Sequence, residues 1–147
     1  MTSPLPSAIA VVIRRGDRVL MIQRAEHKPL GGYWTPVTGR LEPDEALETA
    51  CHREVAEEVG LAITLGPAFH VGATSDGRFE ITYFVADWRE GELRLQVDEV
   101  ADARWVTLAE VEAGELQPML PTTRALLRSA PRTERQCNRV EMGSKSC

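Results

Sequence analysis

Glu54, Glu57 and Glu58 stand at i, i+3 and i+4 within the stretch GRLEPDEALETACHREVAEEVGL, residues 39–61. On a helix that spacing makes three carboxylates neighbours on one side, about 5–6 Å apart. Convergent carboxylate oxygens are the donor set preferred by hard divalent cations such as Mg²⁺. The span from Glu45 to Glu58 holds five acids beside a single arginine, Arg53. Acid at that density repels itself unless solvent or a cation neutralises it. A solvated face is the ordinary explanation of a charge run. The fixed spacing of the residues around these acids argues for a site instead.

Such a site needs a helix with one side buried and a loop that brings other groups to the acids. From Glu45 to about Val59 the residues Leu47, Cys51, Val55 and Val59 fall four apart and draw one stripe to bury. The acids lie beside that stripe. Asp44, after Pro43, is the expected N-cap, and Gly60 sits where a helix end favours positive φ. Upstream, residues 8–14 and 18–23 are apolar runs separated by Arg15-Gly16-Asp17, a hairpin signal. Residues 29–33 form a loop, and 34–38 a short strand that feeds Gly39.

Downstream, residues 62–73 and 78–88 are strand-like about a turn at 74–77, where Gly77 suits positive φ. Residues 89–92 are expected as another turn and 103–106 as the last strand. Thr107 is expected to cap a brief helix over 108–112, and Pro121 to lead a terminal helix over 122–129. Strands on both sides of one long helix predict an α+β fold, a mixed sheet sandwiched by helices. From Ala130 onward the chain has few large apolar residues, with four basic and two acidic ones. The expected organisation is therefore one domain over 1–130 and a flexible tail over 131–147.

Gly39, Glu45, Arg53, Glu54, Val55, Glu57, Glu58, Gly60 and Leu61 match, without a gap, the signature of the Nudix hydrolases. That signature is Gly, five residues, Glu, seven residues, Arg-Glu, an aliphatic, any residue, Glu-Glu, any residue, Gly, an aliphatic. At average residue frequencies the coincidence arises on the order of 10⁻⁹ times per start point. The chain therefore resembles that family, more loosely over residues 9–128. The resemblance implies a Nudix fold, with a mixed β-sheet in an α/β/α sandwich. It also implies Mg²⁺-dependent hydrolysis of a diphosphate linkage in a nucleoside diphosphate linked to a moiety X, with Mn²⁺ able to substitute.

Carried over residue by residue, the resemblance makes Glu54, Glu57, Glu58 and the carbonyl of Gly39 metal ligands. Arg53 and Glu45 become a structural pair that braces loop against helix, the supporting role expected around a metal site. A further acid often comes from the loop before the last strand. Glu99 is the choice, six residues before Trp105, with Asp98 adjacent and Glu80 a distant rival. The general base stays open among Glu57, Glu54 and Glu99, and Arg53 completes the catalytic group.

The run Trp34-Thr-Pro-Val-Thr-Gly39 departs from the Pro-Gly-Gly that most relatives place before the box. Its Val-Thr-Gly is similar to the bacterial dihydroneopterin triphosphate pyrophosphohydrolases. Residues 117–121 lack the asparagine of the oxidised-guanine nucleotide hydrolases. The alternative of a non-catalytic Nudix nucleotide-binding sensor domain meets a chain that keeps every box acid. Isomerase chemistry on isopentenyl diphosphate needs a catalytic Cys, and Cys51 lies inside the box helix.

Other residues are weighed by the same logic. His27, His52 and His70 do not cluster and are expected at the surface or in the core. Trp34, Trp105 and Phe69 are core anchors by default, with Tyr33, Trp34 and Phe84 able to stack on a base. Arg24, Lys28 and Arg40 lie near the box in sequence, within reach of phosphate. At 147 residues one core is expected. A net charge of −5 argues against a nucleic-acid polymer as partner. No apolar run is long enough for a membrane span, and residues 1–7 carry no signal-peptide pattern. The three cysteines form no C-x-x-C pair and are expected as free thiols in a reducing compartment, the cytoplasm, with Cys51 a small core residue. Monomer and homodimer remain open.

Overall fold

Residues 8–14 of strand β1 (Ser7–Arg15) are all buried, as a strand covered on both faces requires. In the computed structural model, which describes residues 4–131, this strand is the spine of a seven-stranded mixed sheet. Gly16, at φ 63°, turns β1 into β2 (Arg18–Arg24). The two strands pair only at Arg14↔Val19 and Arg15↔Arg18, then splay apart. Two short strands fill the gap. β3 (Trp34–Thr35) pairs with the far end of β2, and β4 (Val37–Arg40) pairs with the first half of β1, Ile9 opposite Gly39. The strand expected over 34–38 is therefore two, because the chain changes partners at Pro36.

Helix α1 (Leu47–Val59) follows, then β5 (Ala62–Ala73) and β6 (Glu80–Glu90). β6 runs parallel to β1 from Ser7↔Glu80 to Arg14↔Asp87, and β5 lies antiparallel beyond it. Residues 89–90, expected in a turn, continue the strand. β7 (Val100–Thr107) starts earlier than expected and lines the other side of β2. Thr107 then caps α2 (Leu108–Glu112) in a capping box with Glu110, and Pro121 opens α3 (Pro121–Ser129).

Alternation along β1 divides the core. Ile9, Val11 and Ile13 face Ala50, Cys51, Val55 and Val59 of α1. Val12, with Met21, Trp34 and Val106, faces Val111, Leu116 and Leu127 on the opposite side. Helices on both faces of a mixed sheet give the expected α+β sandwich. Cys51 is fully buried, and burial pushes its thiol up to about 12. The expected tail, with Cys137 and Cys147, lies outside the described residues from 132 onward. Among the described residues no helix is long and apolar enough to cross a membrane.

Candidate active site

Helix α1 ends in the left-handed turn of Gly60, whose amide reaches the Ala56 carbonyl. Its start differs from expectation. Ala46 is the N-cap and offers no side chain, while Asp44 sits at φ 62°, outside the extended conformation of an N-cap. The preceding turn is closed by Glu45 instead. Its amide donates to the Glu42 carbonyl at 3.0 Å, and its carboxylate accepts from the Glu42 amide at 3.0 Å.

That carboxylate also receives Arg53. Nε and Nη2 donate to the two Glu45 oxygens, each at 2.8 Å. The same guanidinium donates to the Arg40 carbonyl at 3.0 Å and to Glu57 at 3.2 Å, and lies 3.3 Å from Glu54. One side chain thus ties β4, the loop and two box acids together. The Arg53 hydrogen bond, aided by the Glu42 amide, holds the Glu45 carboxyl down to about 2. Arg53 is pushed further up in return.

Glu54 and Glu58 lie deeper. Glu58 is 8% exposed, and the Glu54 side chain packs against Gly39, where a β-carbon would overlap its carboxylate. Burial raises both acids. The two share a hydrogen bond, and repulsion from Glu54 and then Glu99 raises Glu58 further. This pair calls for a proton or a cation to neutralise it. Glu57 is different, half exposed at 50% and held by Arg53.

Glu99 reaches the same place from the segment between β6 and β7. The Gln96 amide donates to the Glu58 carbonyl at 3.0 Å, and the Glu99 amide to the Gln96 carbonyl at 2.8 Å. Its side chain pairs with Lys28. Glu80, the distant rival, is exposed at the start of β6 and does not line the cavity, and Asp98 is exposed beside Glu99.

Glu54, Glu57, Glu58 and Glu99 line one cavity of about 880 Å³, together with Arg24, Lys28 and Arg40. The same cavity is lined by Phe79, Ile81, Tyr83 and His70 of the β5–β6 hairpin and by Thr123 and Leu126 of α3. Of the aromatics expected to meet a base, Trp34 and Phe84 are buried on opposite sides of the sheet, and Tyr33 does not line the cavity. Phe79 and Tyr83 line it instead, and sequence reasoning missed them. Their signal is faint: Phe79, Ile81 and Tyr83 alternate on one strand face. The parallel register sets Ile81 and Tyr83 opposite Ala8 and Ala10, whose small side chains leave room.

Among the described residues no group of three or more His, Cys, Asp or Glu side chains is arranged to hold a metal ion as it stands. Arg53 and Lys28 occupy the outer acids Glu57 and Glu99. The inner pair fits a divalent cation by its chemistry, being buried hard oxygen donors with raised proton affinity, set against a glycine whose missing side chain lets the Glu54 carboxylate lie close to the β4 backbone.

The NUDIX domain family model matches residues 4–129, and the chain belongs to the Nudix hydrolase family. It is 37% identical over 101 residues to the NAD-capped RNA hydrolase NudC of Mannheimia succiniciproducens, covering 67% of this chain and 38% of that protein. To the same-named protein of Haemophilus influenzae it is 33% identical over 122 residues, covering 82% and 44%. The chain thus spans less than half the length of these curated relatives. Among solved structures, the MutT NUDIX hydrolase from Burkholderia pseudomallei superposes with a TM-score of 0.70 at 26% identity, covering 88% of this chain and 100% of that one. The NUDIX domain of Shewanella oneidensis NrtR, complexed with ADP ribose, shares the fold with a TM-score of 0.67 at 21% identity, covering 87% and 86%.

Proposed function

We propose that the protein hydrolyses a diphosphate linkage in a nucleoside diphosphate joined to a second moiety, using Mg²⁺, for which Mn²⁺ substitutes. The observation that carries this reading is the buried Glu54–Glu58 pair in a cavity that Phe79 and Tyr83 also line. Such a cavity suits a ligand that is polyanionic at one end and flat and apolar at the other. Glu54, Glu57, Glu58, Glu99 and the Gly39 carbonyl would hold the divalent cation, which would supply charge neutralisation and a water of lowered pKa. Arg53 positions Glu54 and Glu57. Glu57, more exposed than Glu54 and Glu58, is the leading candidate to take a proton from water, with Glu54 and Glu99 as the others. Arg24 and Arg40 line the same cavity and supply further cations for the phosphates, Arg40 with its guanidinium 4.6 Å from the Phe79 ring centroid.

The test is a release assay over nucleoside triphosphates, ADP-ribose, NADH, NAD-capped RNA, dinucleoside polyphosphates and dihydroneopterin triphosphate. The two NudC relatives favour NADH and NAD-capped ends within that panel, and Val37-Thr38-Gly39 favours the pterin. EDTA should abolish turnover, and Mg²⁺ or Mn²⁺ should restore it. Glu57→Gln, folded and at saturating Mg²⁺, should lose roughly two or more orders of magnitude in turnover. Activity that persists in excess chelator sinks the reading. Tight binding without turnover across the panel favours a nucleotide-binding sensor domain.

A further inference from the structure

Lys28 and Glu99 form an ion pair inside the cavity, their side chains 30% and 37% exposed. The backbones on both sides are fixed. The Lys28 amide donates to the Ala25 carbonyl and the Ala25 amide to the Glu99 carbonyl, each at 3.0 Å. The turn that carries Lys28 is closed by the Gly32 amide on the Arg24 carbonyl at 2.8 Å. It passes Gly31, where a β-carbon would strike the Glu26 backbone. Opposite, Gln96 ties Glu99 to the last turn of α1 through the Glu58 carbonyl. With these backbones tied, rearrangement of the pair falls to its two side chains. Arg24 has no such freedom, since Nε donates to the Pro29 carbonyl at 2.7 Å and Nη1 to Thr38 Oγ1 at 3.2 Å.

We propose that Lys28 is an exchangeable counter-cation of the acidic cluster: its ammonium holds Glu99 until a divalent cation takes that carboxylate, and then turns to the phosphate oxygens of the ligand. The inference rests on the metal-dependent reading above and adds to it a positioning residue that links metal loading to anion binding. A half-exposed lysine–carboxylate pair is weak and screened, whereas a divalent ion gathers several carboxylates at once. Lysine suits the exchange because it is a point charge on a flexible stem, unlike the forked clamp of Arg53. Freed from Glu99, the ammonium finds a charge-assisted partner in a phosphate oxygen. The two positions exclude each other, so metal binding favours the anion by freeing Lys28, and by linkage the anion favours the metal to the same extent.

The test is Mn²⁺ binding to the full chain without substrate, followed by the electron paramagnetic resonance signal of the free ion. Lys28→Met keeps the apolar stem and removes the charge. It should bind Mn²⁺ about two- to five-fold tighter than wild type, and that gain should vanish in a Glu99→Gln background. With Mn²⁺ bound, imidodiphosphate, a diphosphate that resists hydrolysis, should bind Lys28→Met more weakly than wild type. Unchanged or weaker Mn²⁺ binding by Lys28→Met overturns the proposal and leaves the metal-dependent reading standing. So does tightening that persists with Glu99→Gln, or equal imidodiphosphate binding by both proteins. Failure of the wild-type protein to bind Mn²⁺ at all overturns both.

Discussion

A β-carbon on Gly39 would overlap the carboxylate of Glu54, so β4 and α1 meet at a point that only glycine leaves open. Gly39→Ala should therefore displace the Glu54 side chain more than it disturbs the fold. The expected outcome is a loss of turnover of roughly 100-fold or more with a melting temperature within a few degrees of wild type. Full activity in Gly39→Ala would show that the Glu54 carboxylate is not needed where it stands.

Arg53→Ala should cut both activity and stability, because the guanidinium joins β4, the loop and the helix. At neutral pH the melting temperature should fall by roughly 3–8 °C. The effect has a pH signature. Glu45 is depressed to about 2 by Arg53, and a depressed acid stabilises the folded chain above its unfolded pKa of 4.5. That contribution is lost as pH falls toward 2. The gap in melting temperature between wild type and Arg53→Ala should therefore narrow across this window. A gap that stays constant on acidification would contradict the pairing.

Glu58 carries the opposite sign. Burial first, then repulsion from Glu54, raises its folded pKa, so the folded chain binds a proton more tightly than the unfolded one. Stability from this group is present below its unfolded pKa and is lost as pH rises through the folded value. Glu58→Gln imitates the protonated acid. In EDTA, its stability relative to wild type should improve as pH rises from about 5 to about 9. Mn²⁺ binding to wild type should expel the proton, so the calorimetric enthalpy should vary with the ionisation enthalpy of the buffer. Enthalpies identical in Pipes and Tris would count against a shared proton on this pair.

Glu99→Gln should lower turnover by roughly tenfold or more. Asp98→Asn should be milder, and Glu80→Gln should behave like wild type, since Glu80 stands exposed outside the cavity. The segment bearing Glu99 is tied to α1 through Gln96 and to the β2 end through Ala25. Its effect on kcat should therefore come from fixed placement rather than from a swinging loop. An inactive Glu80→Gln beside a normal Glu99→Gln would reverse the assignment.

Much of the acid helix was legible in the sequence, because both its ends and its buried stripe are local signals. Gly60 stops the helix by its own backbone freedom, and the four-residue spacing of Leu47, Cys51, Val55 and Val59 needs no partner to be seen. The N-cap was misjudged for a non-local reason. Glu45 closes the turn with a carboxylate that Arg53, eight residues later, holds in place, and Asp44 is left with an unusual φ. The aromatic wall was missed because it depends on the parallel register of β1 with β6. A single sequence does not reveal that Tyr83 will stand opposite Ala10. Trp34 and Phe84 are equally aromatic, but strand alternation turns them into opposite cores.

The four-rung ladder between β1 and β4 acts as a length standard for the chemistry. Gly39 owes its position to standing opposite Ile9, so one residue inserted between Val37 and Gly39 would shift the glycine by about 3.3 Å and turn its neighbours to the other face. The hairpin tip at 74–77 has no such constraint, because it lines the cavity through residues whose one acid, Asp76, is taken up within the turn by Thr74 Oγ1 and the Arg78 amide. Insertions there change what the cavity admits while Glu54, Glu57, Glu58 and Glu99 keep their places. The molecule thus separates a part that must be conserved to the ångström from a part free to vary in length, and engineered changes of ligand choice belong at the second.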